Sequence, residues 1–156
     1  MKPIIAILLA TYLCSAISNA EVIKQDIAIQ LGAKSFHEGD VVSITEVKST
    51  SDKIEIGDTV TIKGRYRLDS KDTANLLLSV TRTKTAKAIE IDKSQMIKAT
   101  KGWHEFEMSV IIKHTGLLHL TFYTEAGKPF GGVYFGTADQ TKELKQISIA
   151  HYKKNG

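Results

Sequence analysis

The strongest constraint on the fold is an alternation of apolar and polar residues with a period of two, which recurs through the chain from Val41 onward. The clearest case is residues 59–68. Its apolar set is Val60, Ile62, Gly64, Tyr66 and Leu68, and its polar set is Thr59, Thr61, Lys63, Arg65 and Arg67. This period is typical of a β-strand with one face in a core and the other in water. Gly57 and Asp58, just before it, predict a turn with positive φ and an Asp side-chain bond to nearby backbone.

Similar segments recur about every ten residues, separated by polar turn residues. They predict strands at residues 41–48, 59–68, 75–83, 95–99, 103–112, 116–124, 130–135 and 144–151. About eight short strands of this kind predict an all-β fold, a two-sheet antiparallel sandwich that is jelly-roll-like. In the later strands we expect the core to receive His104, Phe106, Met108, Val110, Ile112, Leu118, Leu120 and Phe122, and water to receive His119, Thr121 and Tyr123.

The first twenty residues predict a secretory signal peptide with cleavage after Ala20. They combine Lys2, a short apolar run at residues 4–9 and the small residues around Asn19. The mature chain is then expected to be periplasmic or secreted and to contain no membrane span. Since the only cysteine, Cys14, lies in this leader, the mature chain can form no disulfide.

The remainder is long enough for one domain. We predict a β-sandwich domain at residues 41–150 and a frayed tail at residues 151–156. Residues 21–40 form a lead segment whose apolar spacing is compatible with either a short helix or an opening strand.

The charge pattern argues against a nucleic-acid partner. The formal net charge is only +4, and lysines alternate with acidic residues along most of the chain. Nucleic-acid-binding proteins concentrate basic residues in a stripe with interleaved aromatic side chains. The charges here are typical of a solvated protein surface.

No catalytic motif is present, so we expect a protein that is not an enzyme and needs no cofactor. The sequence lacks G-x-S-x-G, H-E-x-x-H and any cysteine after the leader. His114 and His119 lie on adjoining predicted strands, but a zinc site usually needs three or four convergent ligands, so no metal site is predicted. We interpret residues 37–40 as a turn and residues 128–132 as a glycine-rich bulge or bend.

Trp103 is the residue with the clearest binding chemistry. By alternation it shares the polar side of its strand with Glu105. Proteins bind sugars by packing an aromatic ring on the apolar face of the pyranose, while polar side chains hydrogen-bond the hydroxyl groups. The candidate ligand-binding residues are Trp103, Glu105, Tyr123, His119, Arg65 and Arg67. The alternative is that Trp103, as the first residue of its strand, closes the end of the core.

Four motifs occur in order along residues 57–136, about half of the chain. They are Gly57-Asp58-Thr59-Val60-Thr61-Ile62, Trp103-His104-Glu105-Phe106, Gly116-Leu117-Leu118-His119-Leu120-Thr121-Phe122 and Gly131-Gly132-Val133-Tyr134-Phe135. In this order the segment resembles the jelly-roll sandwiches of galactose-binding-like domains and carbohydrate-binding modules. Residues 68–70 and 74–76 are also similar to uncharacterised exported bacterial β-domains. The first resemblance implies a glycan ligand, and the second implies export.

Together these observations predict an exported, non-catalytic binding module with a glycan as its partner. The alternative is a structural or protein-interaction domain of the bacterial envelope, which uses a sheet face or an edge strand to contact another protein.

Overall fold

A computed structural model of the chain describes residues 24–81 and 96–142. Its strands are β1 (Gln25–Asp26), β2 (Gln30–Ser35), β3 (Val41–Ser49), β4 (Thr59–Thr81), β5 (Met96–Ile111), β6 (Leu117–Tyr123) and β7 (Pro129–Gly136). Every strand pair is antiparallel, and one short helical turn follows β7 at residues 138–142. The predicted all-β class is confirmed. The predicted leader, the strand at residues 144–151 and the tail lie outside the described residues.

The seven strands form one curled sheet with the shape of a half-barrel. Its order is β1-β3-β4-β6-β7-β2, and β5 pairs with β4 outside this path. The long strand β4 organises the sheet, because β5 lies along one side of it while β3 and then β6 lie along the other. The path begins with β1 and ends with β2, and only residues 27–29 separate these two strands in the chain.

The alternation at residues 59–68 is confirmed, because the apolar set lies in the core. The largest fully buried side chains are Phe122, Phe135, Ile62, Leu68, Leu76, Leu77, Leu78, Leu117, Leu118, Leu120, Val60 and Val133. The ring of Phe122 packs within 6.4 Å of Phe36, 5.8 Å of Tyr66 and 5.7 Å of Phe130, measured between centroids. This aromatic cluster joins β4, β6, β7 and the lead segment.

Three predicted orientations are wrong. Thr61 belongs to the polar set of residues 59–68 but is only 7% exposed, and its hydroxyl accepts from the Lys24 ammonium at 2.6 Å and lies 2.8 Å from Ser109 Oγ. His104, predicted to lie in the core, is exposed. Its ring packs against the ring of Tyr66 with a centroid distance of 5.3 Å. Thr121 was expected in water but is only 3% exposed. It lies in a part of the sheet where both faces are buried, so alternation does not separate a dry side from a wet one there.

Two pairs of predicted strands are each one strand in the structure. The predicted strands at residues 59–68 and 75–83 are continuous in β4 as far as residue 81, and those at 95–99 and 103–112 are continuous in β5 from residue 96 to residue 111. Residues 82, 83 and 95 lie outside the described residues. The register between β4 and β5 shifts between Leu68 and Thr73, so residues 69–72 form a bulge rather than a turn. Because β4 and β5 each continue past the bulge and stay paired on both sides of it, the described strands make a single sheet. The jelly-roll-like two-sheet sandwich stays a prediction.

The lead segment is extended where it is described. It contributes β1 and β2, and Ile27, Ile29 and Phe36 pack against the core. The predicted turn before β4 is confirmed, since Gly57 has a φ of 101° and the Asp58 carboxylate accepts the Glu55 amide at 2.8 Å.

The helical turn after β7 was not predicted, although a local signal for it exists. Thr137 and Gln140 form a reciprocal capping box, in which the Thr137 amide donates to Gln140 Oε1 at 2.9 Å. The Gln140 side-chain amide also donates to the carbonyl groups of Ile54 and Gly116. In the part of the chain that the structure describes, no helix is long and apolar enough to cross a membrane.

Candidate functional site

Trp103 stands on the face of the sheet opposite the core, which we call the outer face. It pairs in register with Arg67 of β4, and 52% of its surface is exposed. The alternative that it closes the core is therefore wrong. A half-exposed indole on a wet sheet face is available to a ligand.

The backbone beside Trp103 is irregular on both paired strands. Gly102 has a φ of 99°, in a region that residues with a side chain rarely adopt. The neighbouring strand carries the bulge at residues 69–72. Such irregularities bend a strand and redirect its side chains, and they are common next to binding sites.

Three predicted site residues lie around Trp103 on the outer face. Arg65 places its guanidinium carbon 4.9 Å from the centroid of the indole, as a cation–π contact. Glu105 lies directly opposite Arg65 in the register of β4 and β5. Arg67, opposite Trp103, has its guanidinium 2.5 Å from the Asp69 carboxylate. Trp103, Arg65, Glu105 and Arg67 together make the candidate site, which we call the Trp103 site.

Asp40 is a buried residue that hydrogen-bonds to the bulge beside the Trp103 site. The sequence predicts it only as part of a turn. That turn is confirmed, since the Asp40 amide donates to the His37 carbonyl at 3.0 Å. In addition, its carboxylate accepts the amides of Asp69 and Ser70 at 2.8 and 2.9 Å and the Ser70 hydroxyl at 2.5 Å. Asp40 thus holds the bulge whose residue Asp69 pairs with Arg67.

The pKa of the Asp40 carboxyl agrees with these three hydrogen bonds, which together we call the Asp40 clamp. Burial by itself raises the pKa of the carboxyl, but the bonds from Ser70 and from the Asp69 amide together lower its pKa below the ordinary value. The group is only 6% exposed, so the charged form depends on these three donors. No local motif in the sequence connects Asp40 to a bulge about thirty residues later.

An open depression with a volume of about 490 Å³ adjoins the Trp103 site. Its lining residues are Thr45, Lys63, Gly64, Arg65, Glu105, Phe106 and Glu107. Charged side chains from β4 and β5 therefore border a concave surface next to the exposed indole. The depression is open to solvent rather than enclosed.

The other two predicted site residues are not at the Trp103 site. Tyr123 pairs with Asn75, on the far side of the bulge from Arg67. It is half-buried, and burial raises the pKa of its hydroxyl. His119 lies further along β6, where its ring stacks on Tyr134 with a centroid distance of 3.8 Å and an interplanar angle of 5°.

The histidines on the adjoining segments also have separate contacts. His114 places Nε2 3.2 Å from the Val80 carbonyl oxygen, and a ring nitrogen of His119 lies 2.9 Å from Thr121 Oγ1. Among residues 24–81 and 96–142, no three His, Cys, Asp or Glu side chains are grouped so that they could hold a metal ion.

Comparison with known proteins adds no relative: no protein-family model, curated protein or solved structure matches this chain. Function must be argued from the geometry of the site. Four of the six candidate residues converge there, and they are the aromatic ring, the carboxylate and the two guanidinium groups.

Proposed function

We propose that this chain is an exported, non-catalytic module that binds carbohydrate at the Trp103 site. The observation that supports this best is an indole, 52% exposed, flanked on one sheet face by Arg65 and Glu105. The ring offers a flat apolar surface for the C–H face of a pyranose. The guanidinium and the carboxylate offer a donor and an acceptor for its hydroxyl groups.

The rigidity of the site supports the same function. All four residues are on paired strands, and the bulge beside them is held by the Asp40 carboxylate. A ligand would meet side chains that are already in place, which lowers the entropic cost of binding. The resemblance of residues 57–136 to carbohydrate-binding modules is a further argument, and a two-sheet jelly-roll relation is part of this proposal.

The test uses the fluorescence of Trp103, which is the only tryptophan in the chain. Titration with a panel of oligosaccharides should quench or blue-shift its emission, because a sugar ring would displace water from the indole. Trp103→Ala should abolish binding in calorimetry and leave the thermal unfolding nearly unchanged.

Ile111→Ala is the matched control for that variant. Ile111 is also a large apolar residue on the outer face of β5, and it is 55% exposed. It is the last residue of β5, eight residues along the strand from Trp103, so its removal should leave sugar binding intact. If no sugar changes the emission, or if both variants bind like the wild type, the proposal is wrong.

Export is a separate part of the proposal, based on Lys2, the apolar run at residues 4–9 and the small residues before Glu21. Mass spectrometry of the protein purified from its native cells should find Glu21 as the amino terminus. A chain that keeps Met1, or a lipid-modified Cys14, would contradict it.

The second candidate function is a protein-interaction domain of the envelope, and the position of β5 favours it. Among the described strands, β5 pairs only with β4, so its other edge has no strand partner there. An unpaired edge is a template for an added strand. Trp103 and Ile111 are exposed at the two ends of its regular part and could contact apolar side chains of a partner.

Hydrogen exchange separates the two candidates. An added strand would protect the backbone amides along the free edge of β5, whereas a sugar on the outer face would leave them exchanging as before. Protection that grows with protein concentration would favour strand pairing between chains, and protection that is unchanged by concentration but accompanied by sugar-dependent fluorescence would favour the glycan site.

A further inference from the structure

Arg65 and Glu105 are exceptions to the charge pairing on the outer face. Lys63 lies within 3.8 Å of Glu46 and within 3.6 Å of Glu107, and Arg67 contacts Asp69. Arg65 and Glu105 are directly opposite each other, yet the ion pairs and side-chain hydrogen bonds found in residues 24–81 and 96–142 involve neither of them.

The position of the Arg65 side chain accounts for this. Its guanidinium carbon is 4.9 Å from the centre of the Trp103 ring, so the group lies over the indole rather than beside the Glu105 carboxylate. The attraction between a cation and a ring is electrostatic and uses none of the N–H groups along the outer edge of the guanidinium as hydrogen-bond donors to an acceptor atom. That edge is a planar fork, and a carboxylate is the partner that matches it with two parallel hydrogen bonds.

We propose that the ligand of the Trp103 site is an acidic sugar, a glycan residue that carries a carboxylate such as a hexuronic acid. This inference rests on the proposed carbohydrate-binding function. Arg65 binds the sugar carboxylate, the exposed part of the Trp103 ring packs on the apolar face of the pyranose, and Glu105 accepts a hydrogen bond from a hydroxyl group. Each unpaired group of the site then has a complementary group on one sugar ring.

The charges of the neighbours favour this ligand over a neutral sugar. The charge of Arg67 is compensated by Asp69, and that of Lys63 by Glu46 and Glu107. Of the two arginines at the Trp103 site, Arg65 is therefore the one that a ligand can neutralise without breaking an ion pair. Glu105 limits the preference to ligands that also present a hydroxyl donor, because a second carboxylate next to it would be repelled.

The experiment is calorimetric titration of the purified protein with oligogalacturonides, oligoalginates and hyaluronan oligosaccharides, each beside its carboxyl-reduced neutral form. At least one acidic form should bind at least about tenfold more tightly than its neutral counterpart, as expected for a charge-assisted bidentate contact. The preference should weaken as salt is added, because this face is exposed to solvent.

Arg65→Gln should remove the preference for the acidic form and keep residual binding through Trp103. Lys48→Gln is the matched control, since it removes an ion-paired cation of the same face that lies outside the lining of the depression, and it should preserve the preference. Arg65→Lys should recover only part of the preference, because an ammonium group keeps the charge but not the planar fork.

The outcomes distinguish this inference from the function on which it rests. Neutral forms that bind as tightly as acidic forms, with binding lost in Trp103→Ala, would overturn the acidic-sugar inference and support the carbohydrate site. Absence of binding to every glycan would overturn both. If Arg65→Gln failed to fold, the comparison of acidic and neutral forms on the wild type would still decide the question.

Discussion

The two halves of the sheet use the same strand β4 in different ways. In the first half, residues 59–68 of β4 pair with β3 and with residues 102–111 of β5, and Lys63, Arg65 and Arg67 are exposed on the outer face. In the second half, residues 75–81 of β4 pair with β6, and the consecutive residues Leu76, Leu77 and Leu78 are all buried. One strand thus passes from a sheet with one wet face to a sheet with two dry faces.

This difference shows where a binding site can lie. A face that is buried stabilises the fold and is closed to ligands, whereas the wet face of the first half can carry charged and aromatic groups at little cost. The Trp103 site lies on that wet face, next to the bulge that separates the halves. The second half buries side chains on both sides.

The largest expected effect is at Phe122, whose ring contacts both halves. It is fully buried and packs on Tyr66 of the first half and Phe130 of the second. Phe122→Ala should lower the free energy of unfolding by about 3 to 5 kcal/mol, through lost burial and the cavity left behind. Urea denaturation measures this as a lower midpoint with an unchanged m-value. An unchanged midpoint would mean that the ring is not in a shared core.

The second prediction tests the contrast between the outer faces directly. Leu77→Ala should cost about 2 to 5 kcal/mol, because Leu77 is only 2% exposed on the outer side of the second half. Ile111→Ala, on the outer face of the first half and 55% exposed, should cost less than about 1 kcal/mol. Equal losses in the two variants would remove the distinction between a wet and a dry outer face.

Sequence periodicity predicted most of the first half, with Thr61 and His104 as exceptions, for a physical reason. A strand with one wet face must alternate. The apolar residues between Val60 and Leu68 could therefore be assigned to the core, and Arg65 and Arg67 to water, from local information alone. The same reasoning placed Glu105 and Trp103 on the polar side of their strand, and it left open whether Trp103 closed the core.

The second half and the bulge could not be predicted in this way. Thr121 is buried because both faces of its part of the sheet are covered, and periodicity cannot detect a second covered face around a polar residue. Residues 69–72 are polar and read as a turn. They stay within β4 because Asp40, about thirty residues earlier, bonds to Asp69 and Ser70. Tyr123 and His119 were grouped with Trp103 since alternation gives a face but not a position along it.

The third prediction concerns this bulge, which separates the two halves. Asp40→Asn should lower stability at neutral pH by about 1 to 3 kcal/mol, because a neutral amide oxygen is a weaker acceptor for the three donors and the amide NH2 would face these donors with no acceptor. It should also weaken any ligand binding that depends on the Arg67–Asp69 pair. Asp72→Asn is the control, because Asp72 is exposed in the same bulge.

The lowered pKa of Asp40 determines whether the folded chain gains or loses stability as the pH falls. Its pKa is lower in the folded chain than its ordinary value, so its stabilisation is complete above the unfolded pKa and is lost as the pH falls through the folded one. The wild type should therefore lose stability as the pH falls through and below the ordinary Asp pKa of 3.8, and Asp40→Asn should lose less. Asp58, whose pKa is also lowered, contributes the same sign in both proteins. Parallel curves for the two proteins would contradict the clamp.

The smallest expected effect is the coupling between Arg65 and Trp103 on the wet face. Each single change to alanine should cost less than about 1 kcal/mol of stability, and a double-mutant cycle should give a coupling of about 0.5 to 1 kcal/mol, as for an exposed cation–π contact. The corresponding cycle between Arg65 and Glu105 should give a coupling near zero, since the guanidinium is held over the ring. A reversed result, with Arg65 coupled to Glu105 and not to Trp103, would mean that the arginine is already neutralised. The Trp103 site would then have both of its arginines paired, and the cation proposed to bind an acidic ligand would be lost.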